Sequence, residues 1–232
     1  ALADLNLKAT VNIAAVNTPN QTVISGAVEG VDEALSHFES RGIKGKTLVV
    51  SHAFHSFLMD PVLKGFALIA KSITYSMPTV PFISNVSGKR AGAEVTTADY
   101  WVDHIRKPVV FYEGILRAID GGAKLFVEIG PHPVLSGLGV QCAPDNENLT
   151  WVPSLRDKKA EWEMLLSAVG QVHCAAKDVD WSGFFKGVGG RRVQLPAFAF
   201  DRKRYWLDGR KASGGLLPGI KESSNDLGGY YY

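Results

Sequence analysis

Two histidines three residues apart lie in Ser51-His52-Ala53-Phe54-His55-Ser56, just after the short apolar run Thr47 to Val50. Imidazole titrates near neutrality, so a histidine here can take a proton and return it within one reaction. His52 and His55 are the candidates for a general acid/base. A histidine pair also suits a metal, but a site needs three or four ligands, and no acidic or thiol ligand lies nearby in sequence, so no metal is expected. Loop histidines that make only structural hydrogen bonds are the alternative.

A second candidate is Phe126-Val127-Glu128-Ile129-Gly130-Pro131-His132-Pro133-Val134-Leu135. A strand, a Gly-Pro turn and a helix start put Gly130 to His132 at a strand's carboxyl end, where α/β sites form. Glu128 stands inside an apolar strand and needs a partner if it is buried. Taken alone, the motif reads first as a tight strand-to-helix turn. A third stretch, Gln194 to Trp206, interleaves aromatics with Arg and Lys. Such residues stack on nucleotides, or wrap an extended segment over another surface with their charged heads in water. With 25 Lys and Arg against 23 Asp and Glu, the net charge of +2 disfavours nucleic acid, so the wrapping segment is preferred.

One absence matters as much. The chain contains no G-x-S-x-G elbow, no G-x-G-x-x-G fingerprint and no P-loop. If His55 is a catalytic base, its nucleophile is expected outside this chain.

The elements that must position these residues follow from periodicity. Val11 to Val16 and Thr22 to Ser25 read as strands around the turn Asn17-Thr18-Pro19-Asn20. Val31 to Arg41 is helical with a stop at Gly42, and Thr47 to Val50 reads as a further strand. Further helices are expected from about Pro61 to Ile73, from Ala98 to Arg106 capped by Thr97, and from Pro108 to Ile119. Pro81 to Val86 reads as a strand, and Lys124 to Ile129 as a buried parallel one. A short helix over Val134 to Val140, an extended piece at Trp151 to Pro153 and an amphipathic helix over Lys158 to Ala176 complete the pattern.

With 232 residues, 46% hydrophobic and 21% charged, the chain has material for a sizeable core, which excludes wholesale disorder. Its two cysteines, Cys142 and Cys174, build no disulfide framework, so a reducing, cytoplasmic setting is expected. No stretch approaches the roughly 20 apolar residues of a membrane span, and no membrane partner is expected. The opening Ala1-Leu2-Ala3-Asp4 is no signal peptide and has no initiator Met, as in a processed chain or a piece of a larger one.

As a set, these motifs resemble the acyltransferase domain of type I polyketide synthases. Ala14 to Pro19 with Thr22 to Gly26 is similar to the family's first small-subdomain strands, and Ser51 to Pro61 to its catalytic-histidine loop. Pro81 to Gly88 resembles its PFxSNxxG segment, Tyr100 to Phe111 its YW…PVxF segment, and Phe126 to Leu135 its FVExGPHPVL turn. Leu195 to Trp206 is similar to the linker that follows the domain, and the likeness runs from about Val11 to Leu207.

The resemblance implies an α/β fold. An α/β-hydrolase-like acyltransferase core, in its C-terminal part, would span residues 51–176 and carry a ferredoxin-like α+β small subdomain at 1–50. A linker would follow at 177–208, with a Gly/Ser-rich tail at 209–232. It implies no bound cofactor, malonyl-coenzyme A as substrate, and the phosphopantetheine thiol of an acyl carrier protein as acceptor. The reaction would be a ping-pong exchange through a serine upstream of Ala1. His55 would be the base, with Phe54 and His52 shaping a malonyl-selective pocket. Asn17 would support the site, and the main-chain carbonyl of His104, where the family usually has Asn or Gln, would orient the imidazole. Implied partners are the carrier protein, an adjacent ketosynthase and the upstream half of the domain. A non-catalytic docking piece, a stand-alone hydrolase and the equivalent part of a fatty-acid synthase are the alternatives.

Overall fold

The computed structural model describes residues 9–175, 178–189, 191, 193–201 and 203. Strands β1 (Val11–Thr18) and β2 (Gln21–Gly26) pair as an antiparallel hairpin that sets Val11 opposite Gly26 and Ile13 opposite Ile24. A side chain at Gly26 would run into the Thr10 carbonyl, which is why the strand ends on glycine. Helix α1 (Val28–Ser40) lies against one face of the hairpin. Its Ala34 is fully buried with Val11, and Ile24, Val31 and Phe38 pack around them. Gly42 stops the chain at φ 77°, as its position after the helix predicts.

The strand expected at Thr47 to Val50 does not form: this run has no ladder partner among the described residues, and Val49 is fully exposed. Strand, turn, strand, helix is what the described part of the opening unit contains.

A 3-10 turn at Phe57–Met59 leads into α2 (Asp60–Lys71), which carries Pro61 in its first turn. Pro81 to Val86 is not a strand. Ser84 folds the chain back by accepting from the amides of Val86 and Ser87, leaving a single bridge between Ile83 and Arg90. Gly88 closes this turn at φ 66°, where a side chain would strike Glu113. Helix α3 (Ala98–Arg106) begins at Thr97, whose hydroxyl caps the Tyr100 amide at 3.3 Å. Helix α4 (Phe111–Asp120) starts three residues later than Pro108 suggests. Val109 bridges to β1 instead, through hydrogen bonds to Ala14 and Val16, and the Val110 amide donates to the Asn85 carbonyl just before the helix begins.

Next comes a βαβ unit. Strand β3 (Leu125–Glu128) runs parallel to β4 (Thr150–Pro153), with α5 (Val134–Cys142) between them in sequence. Phe126 stacks on Trp151 across the pair, with ring centroids 4.2 Å apart. The parallel pairing agrees with the expectation, but the burial does not. Val127 is 44% and Ile129 84% exposed, because among the described residues β3 has a neighbour on one edge only. Helix α6 (Glu161–Cys174) is shorter than the stretch expected from Lys158 to Ala176, and Ala176 lies outside the described residues. Helix α7 (Trp181–Phe184) is a single turn.

The chain divides into two compact units, Ala1–Phe184 and Phe185–Tyr232, and the hairpin and the later elements belong to the first. In the second unit Phe198 and Phe200 meet edge to face at 5.0 Å. Tyr205, Trp206 and the tail expected at 209–232 lie outside the described residues. Among those residues no helix is long and apolar enough to cross a membrane.

Candidate active site

His55 occupies the left-handed region, with φ 59°. Histidine is among the few non-glycine residues found there at all, and such a conformation persists only where neighbours enforce it. Here the neighbour is Ser56. It is fully buried, its hydroxyl donates to the Ala53 carbonyl at 2.6 Å, and the same oxygen accepts the Leu58 amide at 3.3 Å. The loop is thereby closed on itself on both sides of His55.

Among the described residues one bond orients the imidazole, 2.8 Å from Nδ1 to the main-chain carbonyl of Lys107. A carbonyl only accepts, so Nδ1 carries the proton and Nε2 of the neutral ring carries the lone pair. Lys107 is well suited to this. It follows the last residue of α3 in extended conformation (φ −76°, ψ 152°), as the residue before a proline must, and its carbonyl is turned out of the helix. The expectation that His104 supplies this carbonyl is therefore corrected: His104 lies in the last turn of α3, and the acceptor comes after the helix ends. The His104 ring instead stacks beside Trp101, with centroids 6.2 Å apart.

Three influences set the protonation of His55. Burial pushes its pKa below the ordinary imidazole value, the Lys107 carbonyl opposes this, and the positive form of His104 lowers it again. The net direction favours the neutral, proton-accepting ring.

Of the other expected residues, His52 and Phe54 lie on the exposed outer part of the same loop with ring centroids 5.8 Å apart, and His52 Nδ1 is 3.0 Å from the Ser51 hydroxyl. Asn17 is engaged through its main chain. Its carbonyl accepts from the Cys142 thiol at 3.2 Å, tying β1 to α5, and among the described residues no hydrogen bond joins it to residues 51–59. The sequence reading missed Asn12, whose Oδ1 accepts the Phe57 amide at 2.9 Å. A polar side chain between Val11 and Ile13 in a half-buried strand was the signal available.

Glu128 is half-buried, and it is partnered. Its two carboxylate oxygens accept the amides of Leu135 and Ser136, at 2.9 and 2.7 Å, at the start of α5. Burial alone would raise its pKa, but these bonds outweigh it and hold the carboxyl below its usual range. The Gly-Pro-His-Pro turn thus aims a strand-end carboxylate at a helix N-terminus. Among the described residues no group of three or more His, Cys, Asp or Glu could hold a metal.

A neutral imidazole with a fixed tautomer, on a strained loop and without a bonded nucleophile among the described residues, fits half of a nucleophile–base pair. Residues 3–179 match the model of the acyl transferase domain family. The chain belongs to that family. As an acyltransferase chain it is 38% identical over 224 residues to a hybrid polyketide–nonribosomal peptide synthetase of Aspergillus niger. It is 41% identical over 211 residues to a polyketide synthase of Streptomyces halstedii. These alignments cover 90% and 88% of this chain but 12% and 3% of the relatives, so the acyltransferase chain spans a small part of each.

Among solved structures it resembles the acyltransferase domain from the second module of the salinomycin polyketide synthase. The TM-score is 0.76 at 36% identity, over 84% of this chain and 45% of that one. It also resembles a malonyl-transacylase in complex with its type II polyketide-synthase acyl-carrier protein. There the TM-score is 0.63 at 25% identity, over 73% and 52% of the two chains.

Proposed function

We propose that this chain is the histidine-bearing part of a polyketide-synthase acyltransferase that moves a malonyl group from malonyl-coenzyme A to the phosphopantetheine thiol of an acyl carrier protein. The observation that carries this reading is the His55–Lys107 bond, which leaves Nε2 as the proton acceptor. A serine on the polypeptide before Ala1 attacks the thioester carbonyl while Nε2 takes its proton. The tetrahedral intermediate collapses to acyl-serine, and the same proton leaves with the coenzyme A thiol. The carrier thiol then gives its proton to Nε2 as it attacks the acyl-serine, and the serine recovers that proton on release. No cofactor takes part in either half-reaction.

The exposed apolar residues Val62, Leu68 and Ile69 of α2, and Ile129, Val134 and Leu135 around the β3–α5 turn, are the surface that the upstream half covers in this reading. Phe54 narrows the space beside the acyl α-carbon, with His52 on the same wall. A single added methyl is discriminated by about 1–3 kcal/mol, so malonyl is preferred over methylmalonyl and not absolutely selected. The linker aromatics Phe198 and Phe200, each 76% exposed, suit a neighbouring ketosynthase surface.

The test is transfer to a carrier protein by the domain extended upstream, with malonyl- and methylmalonyl-coenzyme A in competition. Carrier-dependent transfer that favours malonyl supports the reading. Hydrolysis of malonyl-coenzyme A at the same rate without carrier contradicts it.

A further inference from the structure

We propose that Asn12 is a positioning residue for His55, acting through the Phe57 amide. The inference rests on the reading of His55 as the base and extends it to a residue outside every motif that supports that reading.

The geometry is a frame built on one strand. Val11 points into the α1 core, so Asn12 points to the opposite face of the hairpin. There its Oδ1 accepts the Phe57 amide at 2.9 Å, bridging 45 residues of sequence. Phe57 opens the 3-10 turn, and the first amides of a helical turn have no partner within it. Ser56 serves two of them: its hydroxyl accepts from Leu58 and its carbonyl accepts from Met59 at 3.0 Å. The Phe57 amide is the one that Ser56 does not serve, and Asn12 serves it.

The same strand holds the other end of the His55–Lys107 bond. Val109 donates to the Ala14 carbonyl at 2.9 Å, and Val16 donates to the Val109 carbonyl at 2.8 Å. Both fixed points lie two residues beyond the groups they position, Phe57 after His55 and Val109 after Lys107. Main-chain bonds fix the second point whatever side chains are present. The first depends on an acceptor at position 12. Without it, the loop that holds His55 at φ 59° loses its only hydrogen bond to β1 among the described residues.

The experiment compares Asn12→Leu with Asn12→Asp in the complete acyltransferase domain, reading malonyl transfer and amide hydrogen exchange. Leucine removes the acceptor at similar size, and aspartate keeps it. Asn12→Leu is expected to lower kcat about tenfold or more at unchanged KM for malonyl-coenzyme A, since small misplacements of reacting groups cost up to about 100-fold. Exchange at Phe57 should quicken while the β1–β2 amides stay protected. Asn12→Asp is expected to restore slow Phe57 exchange and most of kcat.

Wild-type kcat in Asn12→Leu, unchanged Phe57 exchange, or an aspartate variant that behaves like leucine would each overturn the proposal. Loss of protection throughout the hairpin would mark Asn12 as merely structural and overturn it too. A failure of the base assignment looks different: His55→Gln would keep full transfer while the Phe57 exchange response to Asn12→Leu remained.

Discussion

The Nδ1 of His55 lies 2.8 Å from the main-chain carbonyl of Lys107, across 52 residues of sequence. Because the acceptor is backbone, no side-chain substitution at position 107 removes it. What fixes the bond is the path of the chain on either side: the end of α3, the proline at 108, and the strand that holds Val109. Removing the imidazole therefore has no substitute in the site. His55→Ala in the complete domain is expected to slow malonyl transfer by about 10²–10⁴, the usual worth of a general acid/base. Single-turnover formation of acyl-enzyme measures this.

The pH dependence has a definite sign. Burial, the largest influence on His55, favours the neutral ring, and the positive form of His104 adds to it against the Lys107 carbonyl. The transfer rate should rise with pH through a limb centred below the ordinary imidazole value. His104→Asn should move that limb upward by removing a like charge. The same shift makes stability fall with acid, because the unfolded chain takes the proton before the folded one does. A rate profile and a denaturant series across pH 5 to 8 check both, with about pH 6.5 the ordinary midpoint.

Glu128 caps α5 through two amides, so Glu128→Gln should cost about 1 kcal/mol, in the range of a lost helix cap. Its pKa in the folded chain lies below the usual carboxyl value. The stabilisation is thus present above the unfolded pKa and is lost as pH falls through the folded one. Urea titrations of both forms at neutral and acid pH should converge at low pH.

Tyr100 is 7% exposed and donates from its hydroxyl to the fully buried Ser84 at 2.8 Å. Tyr100→Phe leaves the Ser84 oxygen with its two amide donors but removes a buried hydrogen bond, at an expected cost of about 1 kcal/mol. By contrast, Arg106 and Asp60 form an exposed pair at 2.8 Å, and Asp60→Asn should change stability by less than about 1 kcal/mol. Thermal unfolding of both variants distinguishes the two cases.

Local signals made much of this readable before any coordinates. Thr97 and the apolar spacing after it place α3 to the residue, and Gly42 marks where α1 must stop. The histidine loop and the strand-to-helix turn at Glu128 were legible as candidates from residue type alone. Contacts made at a distance were not. Thr47 to Val50 looks like a strand but has nothing described to pair with, and Pro81 to Val86 has strand composition that the side-chain bonds of Ser84 override. The acceptor for His55 was expected three residues too early, because a carbonyl leaves no mark in sequence. Asn12 carried no motif, since its role exists only once residue 57 is folded against β1.

In the proposed function the base lies in this chain and the nucleophile outside it. Intact-protein mass after exposure to malonyl-coenzyme A distinguishes the cases, on this chain and on a version extended upstream to include the proposed serine. A malonyl adduct is expected on the extended protein alone, its formation slowed by His55→Ala. An adduct on this chain by itself would contradict it, and the nucleophile would have to be sought within these residues.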